Sequence, residues 1–193
     1  NVSEEDDVCQ PNDVPNVIKL YFFNKVFTAL YLLCGYSRVP PSVDRIIMAN
    51  DCALNGSTMS HEMGHYFSLY HTHETGLGVE LVDGSNCSTA GDEICDTPAD
   101  PMLSGNSVDN SCRYVGTATD ANGDTYVPDP TNLMSYSLKH CRTTLTAEQY
   151  NRIAFSLAVE RNYLTDSTVS NELTYTLIPN LNFEQALIDL GID

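Results

Sequence analysis

The segment His61–His71, with the sequence HEMGHYFSLYH, has the residue types and the spacing to bind a divalent metal ion and activate water. His61 and His65 are four residues apart, so a helix places both imidazoles on one face, one turn apart. Glu62 projects about 100° away around the helix axis, where it is free to hold a water molecule. With His71 as the third neutral nitrogen ligand, one metal position stays open, as in a catalytic zinc site rather than a structural one.

A helix has to position the first two histidines, and the chain has to turn before the third. His71 lies six residues after His65, too far for a straight helix to bring both side chains to one point, so the helix must end between them. Turn residues before the pattern and apolar residues at helical spacing within it indicate such a helix. The N-cap candidates are Asn55, Gly56, Ser57 and Thr58, and the apolar stripe consists of Met59, Met63, Tyr66, Phe67 and Tyr70.

The HExxH pattern needs support from elsewhere in the chain. A pattern of this length occurs by chance at roughly the percent level, and two histidines on a helix are otherwise ordinary polar side chains. The support comes from His71 at the spacing of a third ligand and from NLMSY at residues 132–136. Considered without the zinc pattern, Met134 would be a core methionine and Tyr136 a packed aromatic residue.

Three motifs follow one another along the chain: HEMGHYFSLYHTH, GDEICDTPAD at residues 91–100 and NLMSYS at residues 132–137. Together they resemble the metzincin clan of zinc endopeptidases and, within it, the pappalysin family. The resemblance extends from about Asp44 to Arg161. It implies an α+β fold: a metzincin-like zinc peptidase domain with a mixed twisted sheet, an active-site helix, a Met-turn and an irregular, disulfide-bonded lower subdomain.

The same likeness implies a reaction and the residues that perform it. The three histidines would bind Zn²⁺, and such a site lowers the pKa of a bound water to near 7. Glu62 would act as the general base that takes the proton from this water as it attacks a peptide carbonyl. Tyr136 would bind the metal or stabilise the tetrahedral intermediate, and Met134 would form the floor beneath the metal. The expected partner is therefore a protein or peptide substrate.

Two apolar runs, Val17–Phe23 and Arg45–Ala49, indicate strands, the second one shortly before the active-site helix. In enzymes of the resembling type, such a strand is the sheet edge along which an extended substrate lies antiparallel. We therefore expect Arg45–Ala49 to be this edge, with backbone pairing that gives affinity without sequence preference.

One position departs from the clan pattern. The resembling enzymes have glycine three residues after the second histidine, where the helix ends in a left-handed conformation, and this chain has Ser68. A non-glycine residue at positive φ costs about 1 kcal/mol, which is small beside the roughly 10 kcal/mol of zinc binding in structural peptides. Either Ser68 takes the left-handed conformation, or it continues the helix and the turn begins at Leu69.

The formal net charge of −17 argues against nucleic acid as a partner and fits either a solvated acidic surface or calcium sites. Oxygen ligands suited to Ca²⁺ cluster after the active-site helix, where the resemblance also implies calcium. A second acidic segment, Asp120–Asp124, lacks the glycine and glutamate of an EF-hand loop and is expected to form a turn. The candidate calcium ligands are Asp83, Asp92, Asp96 and Thr97, with Glu93 beside them.

Seven cysteines without a CxxC pair indicate disulfides in an oxidising compartment, so the sequence predicts a secreted, extracellular protein. No apolar run approaches the roughly 20 residues of a membrane-spanning helix. Spacing alone leaves the disulfide connectivity open. The expected bridges are Cys95–Cys141 and Cys87–Cys112, so Cys9, Cys34 and Cys52 would share the remaining bond with one cysteine left over.

The expected organisation is a metallopeptidase catalytic domain at residues 1–165, a linker at 166–177 and a C-terminal segment at 178–193. Compared with the resembling family, the catalytic domain lacks an N-terminal strand and a backing helix. Thr146 and Gln149 form a capping box that begins a helix with Tyr150, Ile153, Leu157 and Leu164 as its apolar face. The segment 178–193 resembles the cap of a leucine-rich repeat, which implies further C-terminal domains in the parent protein; a short amphipathic helix is the alternative.

Two other functions are compatible with these residues. One is a calcium-stabilised adhesion or binding module that retains a zinc site without catalysis. The other is a metal-dependent hydrolase that acts on a non-peptide substrate. Against a module, the three histidines, Glu62 and the Met-turn are all present together, whereas a relic site is free to lose any of them.

Overall fold

The computed structural model describes residues 4–54 and 56–165. Its chain divides into two compact units, which contain the described parts of Asn1–Ser68 with Ala154–Asp193 and of Leu69–Ile153. Across the described residues, no helix combines the length and apolarity needed to cross a membrane. The N-cap candidate Asn55, the expected linker and the expected repeat cap lie outside the described residues.

The first unit contains a three-stranded mixed sheet with the strand order β1-β5-β4. β1 (Leu20–Phe23) runs parallel to β5 (Ile46–Ala49), and β4 (Gly35–Ser37) pairs antiparallel with β5 on its other side. All four residues of β5 are buried, as expected for a central strand whose two faces are covered. Both strands expected from the sequence are therefore present, but the first begins at Leu20 rather than Val17.

The expectation that Arg45–Ala49 forms the sheet edge is wrong. Its strand, β5, is paired on both sides, and among the described residues β4 lies at the edge. The continuous apolar run of β5 is typical of a strand buried in the middle of a sheet. β4 gives a weak sequence signal because it has only three residues, all half-buried, and one of them is glycine.

A buried arginine joins the N-terminal segment to the sheet. α1 (Glu5–Cys9) is followed by a 3₁₀ turn at Gln10–Asn12. Arg45, directly before β5, bonds Glu5 at 3.2 Å and Asp6 at 2.8 Å through Nη1, and Asp13 at 2.6 Å through Nη2. Because a buried guanidinium is costly without partners, these carboxylates fix the segment against the strand. A two-stranded hairpin, β2 (Val26–Phe27) and β3 (Leu32–Leu33), lies between β1 and β4 in sequence.

Two helices follow β5. α2 (Asn50–Ala53) is a single turn, and α3 (Thr58–Tyr66) is buried along its whole length and packs on β4 and β5. Gly35 in β4 allows this close approach, because a Cβ there would lie 2.6 Å from Met48 Sδ and 3.3 Å from Glu62 Cγ. Ser57 precedes the helix as its N-cap residue, without a capping bond from its side chain.

The second unit consists mainly of turns, with the isolated bridges Val108–Tyr114, Thr119–Thr125 and Asn132–Thr144. α4 (Ala147–Phe155) begins near the C-terminal end of this unit. In the chain it is followed by one π-helical turn at Ser156–Glu160 and by a 3₁₀ turn at Asn162–Thr165. The capping box is confirmed, since Thr146 N–H donates to Gln149 Oε1 at 2.9 Å and Gln149 N–H to Thr146 Oγ1 at 3.2 Å. Of the expected apolar face, Ile153 is buried and Tyr150 is exposed.

The expected disulfide pairing is wrong. Instead of Cys95–Cys141 and Cys87–Cys112, the bridges are Cys87–Cys95, with Cα atoms 5.0 Å apart, and Cys112–Cys141, at 5.5 Å. Both pairs lie within the normal Cα separation for a disulfide, and the first closes a local loop of turns that the sequence pattern did not reveal. A third bridge joins Cys34 to Cys52, and the remaining cysteine, Cys9, is a buried free thiol.

A small mixed sheet, several helices and an irregular region with disulfides agree with the α+β prediction. A hydrophobic cluster in the first unit contains Cys9, Val26, Ile47 and Ala49, and one in the second contains Leu103, Val108 and Cys141. Disulfides and hydrogen-bonded turns add to the order of the second unit.

Candidate metal centre

α3 presents two histidines in the geometry that the sequence predicts. His61 and His65 are both buried, and their ring centroids are 4.9 Å apart with the planes nearly perpendicular. Glu62, also buried, follows His61 on the same helix, with its Cγ close to the backbone of Gly35 in β4. The packing of α3 on the sheet therefore restrains all three side chains.

The helix ends immediately after its second histidine. Phe67 N–H donates to the carbonyls of both Met63 and Gly64, and Ser68 N–H donates to His65 O at 3.1 Å. Ser68 has φ = +69°, so of the two alternatives the left-handed turn is correct. Its hydroxyl bonds Ser156 Oγ at 3.0 Å and the Glu160 carboxylate. These two bonds offset the strain that a glycine would avoid.

Arg161 stabilises the same helix end and was missed in the sequence. Its Nε donates to Tyr66 O, the last carbonyl of α3, at 3.2 Å, and its Nη1 donates to Asp44 at 2.8 Å. The guanidinium carbon lies 4.1 Å from the centroid of the Tyr66 ring, and Tyr66 Oη is 3.1 Å from Tyr163 Oη. A cation at a helix C-terminus satisfies a carbonyl that has no partner within the helix. The 95-residue separation explains why no local pattern reveals the contact.

The segment His61–His71 brings three imidazoles together. One ring nitrogen from each of His61, His65 and His71 lies within 4.8 Å of the others, with the first two residues buried and the third half-buried. Three imidazoles without a thiolate or a carboxylate are the donor set of a catalytic zinc site with a free position. The residues present therefore fit the ion that the sequence predicts.

A second group of candidate ligands does not fit a metal. Cys112, His140 and Cys141 also lie within 4.8 Å of one another. The two cysteines are joined in a disulfide, so neither offers a thiolate. His140 Nε2 lies 3.4 Å from Asn110 O. These three residues are therefore close together because the Cys112–Cys141 disulfide joins two turns, and they are not a metal site.

The Met-turn is built around the side chain of Asn132, which is buried together with Gln149. Asn132 Oδ1 accepts Met134 N–H at 2.9 Å, and its Nδ2 donates to Gln149 Oε1 at 2.9 Å. Gln149 thus connects the turn to the N-terminus of α4, which it also caps. Met134 is fully buried, and its carbonyl accepts Thr72 N–H at 3.3 Å, one residue after His71.

Tyr136 lies beside the third histidine. Its ring centroid is 4.6 Å from that of His71 and 4.4 Å from that of His73, and the two histidine rings stack at 4.8 Å. Tyr136 is 42% exposed, so part of the residue is accessible from solvent. Sequence reasoning did not single out His73, although HTH is an unusual doubling of imidazoles.

Two buried carboxylates, those of Glu80 and Asp92, interact electrostatically in the second unit, and Glu80 was not among the expected calcium ligands. Burial raises the pKa of Glu80 to about 7, and the neighbouring Asp92 contributes to the rise. Burial likewise raises the pKa of Asp92 to about 6, against the hydrogen bonds from Thr97 and Ile94. Glu80 Oε2 is buried and has no hydrogen-bond partner among the described residues. A Cβ at Gly91 would collide with this carboxylate.

The other expected calcium ligands take part in turns and caps. Asp83 and Asp96 are both exposed: Asp83 accepts Ser85 N–H at 2.9 Å, and Asp96 accepts Glu148 N–H at 2.9 Å in the first turn of α4. Thr97 Oγ1 donates to Asp92 Oδ1 at 2.9 Å, so two of the four predicted ligands are hydrogen-bonded to each other. The segment Asp120–Asp124 forms the expected turn, in which Asp120 Oδ1 accepts the N–H groups of Asn122 and Asp124 at 2.9 Å.

Comparison with known proteins identifies related sequences and folds. A family model described as pregnancy-associated plasma protein-A (Peptidase_M43) matches residues 44–158. An extracellular metalloprotease of Arthroderma benhamiae is 28% identical over 155 residues, which cover 72% of this chain and 50% of the relative. One of Podospora anserina is 34% identical over 99 residues, which cover 51% of this chain and 28% of the relative. The chain thus spans half or less of the length of these curated relatives.

Two solved structures share the fold. Mature mirolysin of Tannerella forsythia, in complex with a cleaved peptide, gives a TM-score of 0.51 at 21% identity; the match covers 76% of this chain and 55% of the mirolysin chain. Mirolysin in complex with compound 9 gives a TM-score of 0.53 at 22% identity; the match covers 82% of this chain and 59% of the mirolysin chain. The metzincin-like α+β prediction is confirmed by these similarities.

Replacing Arg161 by methionine should destabilise the protein by about 2–4 kcal/mol, because the last carbonyl of α3 loses its buried partner and Asp44 loses one of its two cationic partners, with Lys19 remaining. Arg113→Met is the matched control: its ion pair with Asp109 is exposed and should contribute less than about 1 kcal/mol. Urea denaturation measures both free energies of unfolding. Equal losses in the two variants would contradict the role of Arg161.

Proposed function

The chain belongs to the Peptidase_M43 family of pregnancy-associated plasma protein-A, and from this premise we propose that it is a secreted zinc-dependent endopeptidase. The observation that carries the proposal is the group of three imidazoles from His61, His65 and His71, within 4.8 Å of one another. Glu62, next to the first of them, supplies a buried carboxylate on the same helix. In this proposal the three histidines bind Zn²⁺.

Glu62 is the proposed general base. When bound, zinc supplies a Lewis acid that lowers the pKa of water to near 7 and polarises a peptide carbonyl. Glu62 accepts the proton of the attacking water and passes it to the leaving amine. Its position on a fully buried helix, with its stem against Gly35, restrains the carboxylate so that little orientational freedom is lost during the reaction.

Tyr136 is the proposed second catalytic residue. Its partly exposed side chain packs edge-on against His71, so its hydroxyl can donate a hydrogen bond to the oxyanion that forms at the attacked carbonyl. Met134 is proposed as the floor of the metal site. Its complete burial and its carbonyl bond to Thr72 N–H support this, since the bond links the Met-turn to the residue that follows His71.

The proposed substrate is a protein or peptide that binds as an extended strand. β4 is the strand that suits this role: within the described residues it lies at the sheet edge and pairs on one side only, with β5. A peptide added antiparallel to such an edge gains backbone hydrogen bonds that do not depend on its sequence. The short length of β4 limits this pairing to a few residues.

Secretion is supported by two independent observations. The described residues contain three disulfides, which persist in oxidising compartments, and the relatives from two fungi are named extracellular metalloproteases. A net charge of −17 keeps such a protein soluble and disfavours nucleic acid as a partner.

We further propose that calcium binds at the pair Glu80 and Asp92, with Thr97 beside them. Two carboxylates buried together repel each other when both are ionised, and Glu80 Oε2 lacks a hydrogen-bond partner among the described residues. A hard divalent cation with oxygen ligands removes the repulsion and completes the coordination. Asp83 and Asp96, which serve a turn and a helix cap, remain predicted ligands.

Replacing Glu62 by glutamine should lower casein hydrolysis by a factor of about 10²–10⁴ while zinc stays bound, because the general base is lost and the three imidazoles are unchanged. Casein digestion with elemental analysis of the same samples measures both quantities. Glu148→Gln, which makes the same chemical change at the first turn of α4, should leave the rate unaltered. Equal activity in Glu62→Gln and wild type would refute the assignment, and an inactive wild type that contains zinc would favour the binding module.

Adding calcium should raise the Tm of calcium-depleted, zinc-loaded protein more at pH 7.5 than at pH 5. The pKa values of Glu80 and Asp92, about 7 and about 6, exceed those of an unfolded chain. Without calcium, their contribution to stability is therefore lost as the pH rises towards 7, and calcium offsets this loss by binding the ionised pair.

Scanning calorimetry measures this gain, which Glu80→Gln should abolish. Asp109→Asn is the matched control, since the Asp109 carboxylate accepts Ser111 N–H in a turn and is not a proposed ligand, and it should retain the calcium response. A response that is kept in Glu80→Gln would place the ion elsewhere.

A further inference from the structure

The hairpin of β2 and β3 is apolar on both of its faces. Val26 and Leu33 form one cross-strand pair, and they belong to the hydrophobic cluster of the first unit or pack against it. Phe27 and Leu32 form the next pair, which faces the opposite way because successive strand residues alternate. A sheet face in contact with water is normally polar, yet Phe27 is 42% exposed and Leu32 67% exposed.

The turn that joins the two strands adds further exposed apolar surface. Leu30 is 87% exposed and Tyr31 is 62% exposed. We name the four residues Phe27, Leu30, Tyr31 and Leu32 the hairpin tip. Single exposed apolar side chains are ordinary on a protein surface. Four of them within six residues form a patch, and such a patch marks a surface that binds a protein or a membrane.

The backbone of the turn makes its hydrogen bonds internally. Thr28 N–H donates to Tyr31 O at 2.9 Å, and Thr28 Oγ1 accepts the N–H groups of Leu30 and Tyr31, both at 3.2 Å. The Thr28 hydroxyl in turn donates to Tyr31 O at 3.3 Å. These groups have partners without water, which lowers the cost of moving the turn into an apolar medium. The same bonds hold the turn in one conformation, so little ordering entropy is lost on binding.

The hairpin tip carries no charge, although the chain as a whole is acidic. No charged residue lies between Lys25 and Arg38, in a chain with 26 aspartates and glutamates. At the base of the hairpin, Lys25 lines a pocket together with Glu4 and Glu5, so the acids of that region meet a cation there. An uncharged tip loses no ion hydration when it leaves water. A lysine near such a tip can extend its ammonium group towards the phosphate of a lipid headgroup.

We propose that the hairpin tip is a membrane anchor that inserts into the headgroup region of a zwitterionic lipid bilayer. Leu30 and Leu32 enter the boundary of the acyl chains, and Tyr31 suits the interface because its ring is apolar and its hydroxyl polar. A protein partner would also cover the apolar side chains. The uncharged tip and its internally bonded turn favour lipid, which offers few hydrogen-bonding groups at that depth.

The charge of the whole chain decides between lipid types. With a net charge of −17, the protein is repelled by an anionic surface and not by a zwitterionic one. A secreted protein, as proposed above, also meets the leaflet opposite to the anionic cytoplasmic one. Binding through four side chains is reversible and differs from the permanent insertion of a spanning helix. The inference is independent of the proposed peptidase function.

The first experiment is co-sedimentation of the full 193-residue chain with phosphatidylcholine vesicles at physiological ionic strength. The wild type should sediment with the vesicles. The double change Leu30→Ser and Leu32→Ser should lower its partition coefficient about tenfold, because two leucine side chains no longer leave water. Both positions are exposed, so the Tm should change little. Val127→Ser, at a 74% exposed valine of the second unit, is the matched control and should bind like the wild type.

Fluorescence locates the hairpin tip relative to the bilayer. The chain contains no tryptophan, so Tyr31→Trp introduces a single reporter. On addition of vesicles, its emission should shift to shorter wavelength and should be quenched by lipids brominated on their acyl chains. Tyr150→Trp, the same change at an exposed position of α4, should show neither effect. Emission of Tyr31→Trp that vesicles leave unchanged would overturn the insertion.

The other possible occupants of the hairpin tip give different results. Absence of vesicle binding by the wild type, or equal binding by the double serine variant, overturns the anchor. A dimer in analytical ultracentrifugation that this variant dissociates would then assign the hairpin tip to a second copy of the chain. Stronger binding to vesicles that contain phosphatidylserine would contradict the zwitterionic preference. The vesicle measurements need no peptidase activity, so they are valid whether or not the proposed function holds.

Discussion

The metal centre depends on where one helix ends. Two histidines one turn apart need a continuous helix, and a third histidine six residues later needs that helix to stop at once. α3 stops at Tyr66, and Ser68 turns the chain in a left-handed conformation at a cost of about 1 kcal/mol. Arg161 caps the last helical carbonyl, and Ser156 and Glu160 hold the Ser68 hydroxyl. A serine is therefore tolerated where glycine would be easier, because the residues after α4 hold the turn.

The second unit differs from the first in that it consists mainly of turns. Two disulfides and many side chain-to-backbone bonds order these turns, and Asn132 connects the Met-turn to the capped start of α4. The region also contains the buried carboxylates of Glu80 and Asp92, and Glu80 Oε2 has no hydrogen-bond partner among the described residues. Stability alone does not account for this pair, and a bound calcium ion would neutralise it.

Local patterns predicted the local parts of the molecule. Helical spacing located α3 and its buried stripe, the capping box located the start of α4, and the apolar run of β5 located a strand. Features that depend on distant residues were missed or wrong. Disulfide partners cannot be read from spacing, the edge position of β4 follows from strand order, and Arg161 meets Tyr66 across 95 residues. Glu80 was missed because a lone glutamate in a turn-rich segment has no local signature of burial.

The most direct test of the central claim is X-ray absorption at the zinc edge of the purified chain, with the metal content measured on the same sample. The account predicts one zinc per chain with three imidazole nitrogens at about 2.0–2.1 Å and one lighter oxygen ligand. Replacement of His71 by alanine should remove one imidazole from the shell. A shell that contains sulfur or a fourth imidazole would contradict the account. A spectrum that is unchanged in the His71→Ala protein would contradict it as well.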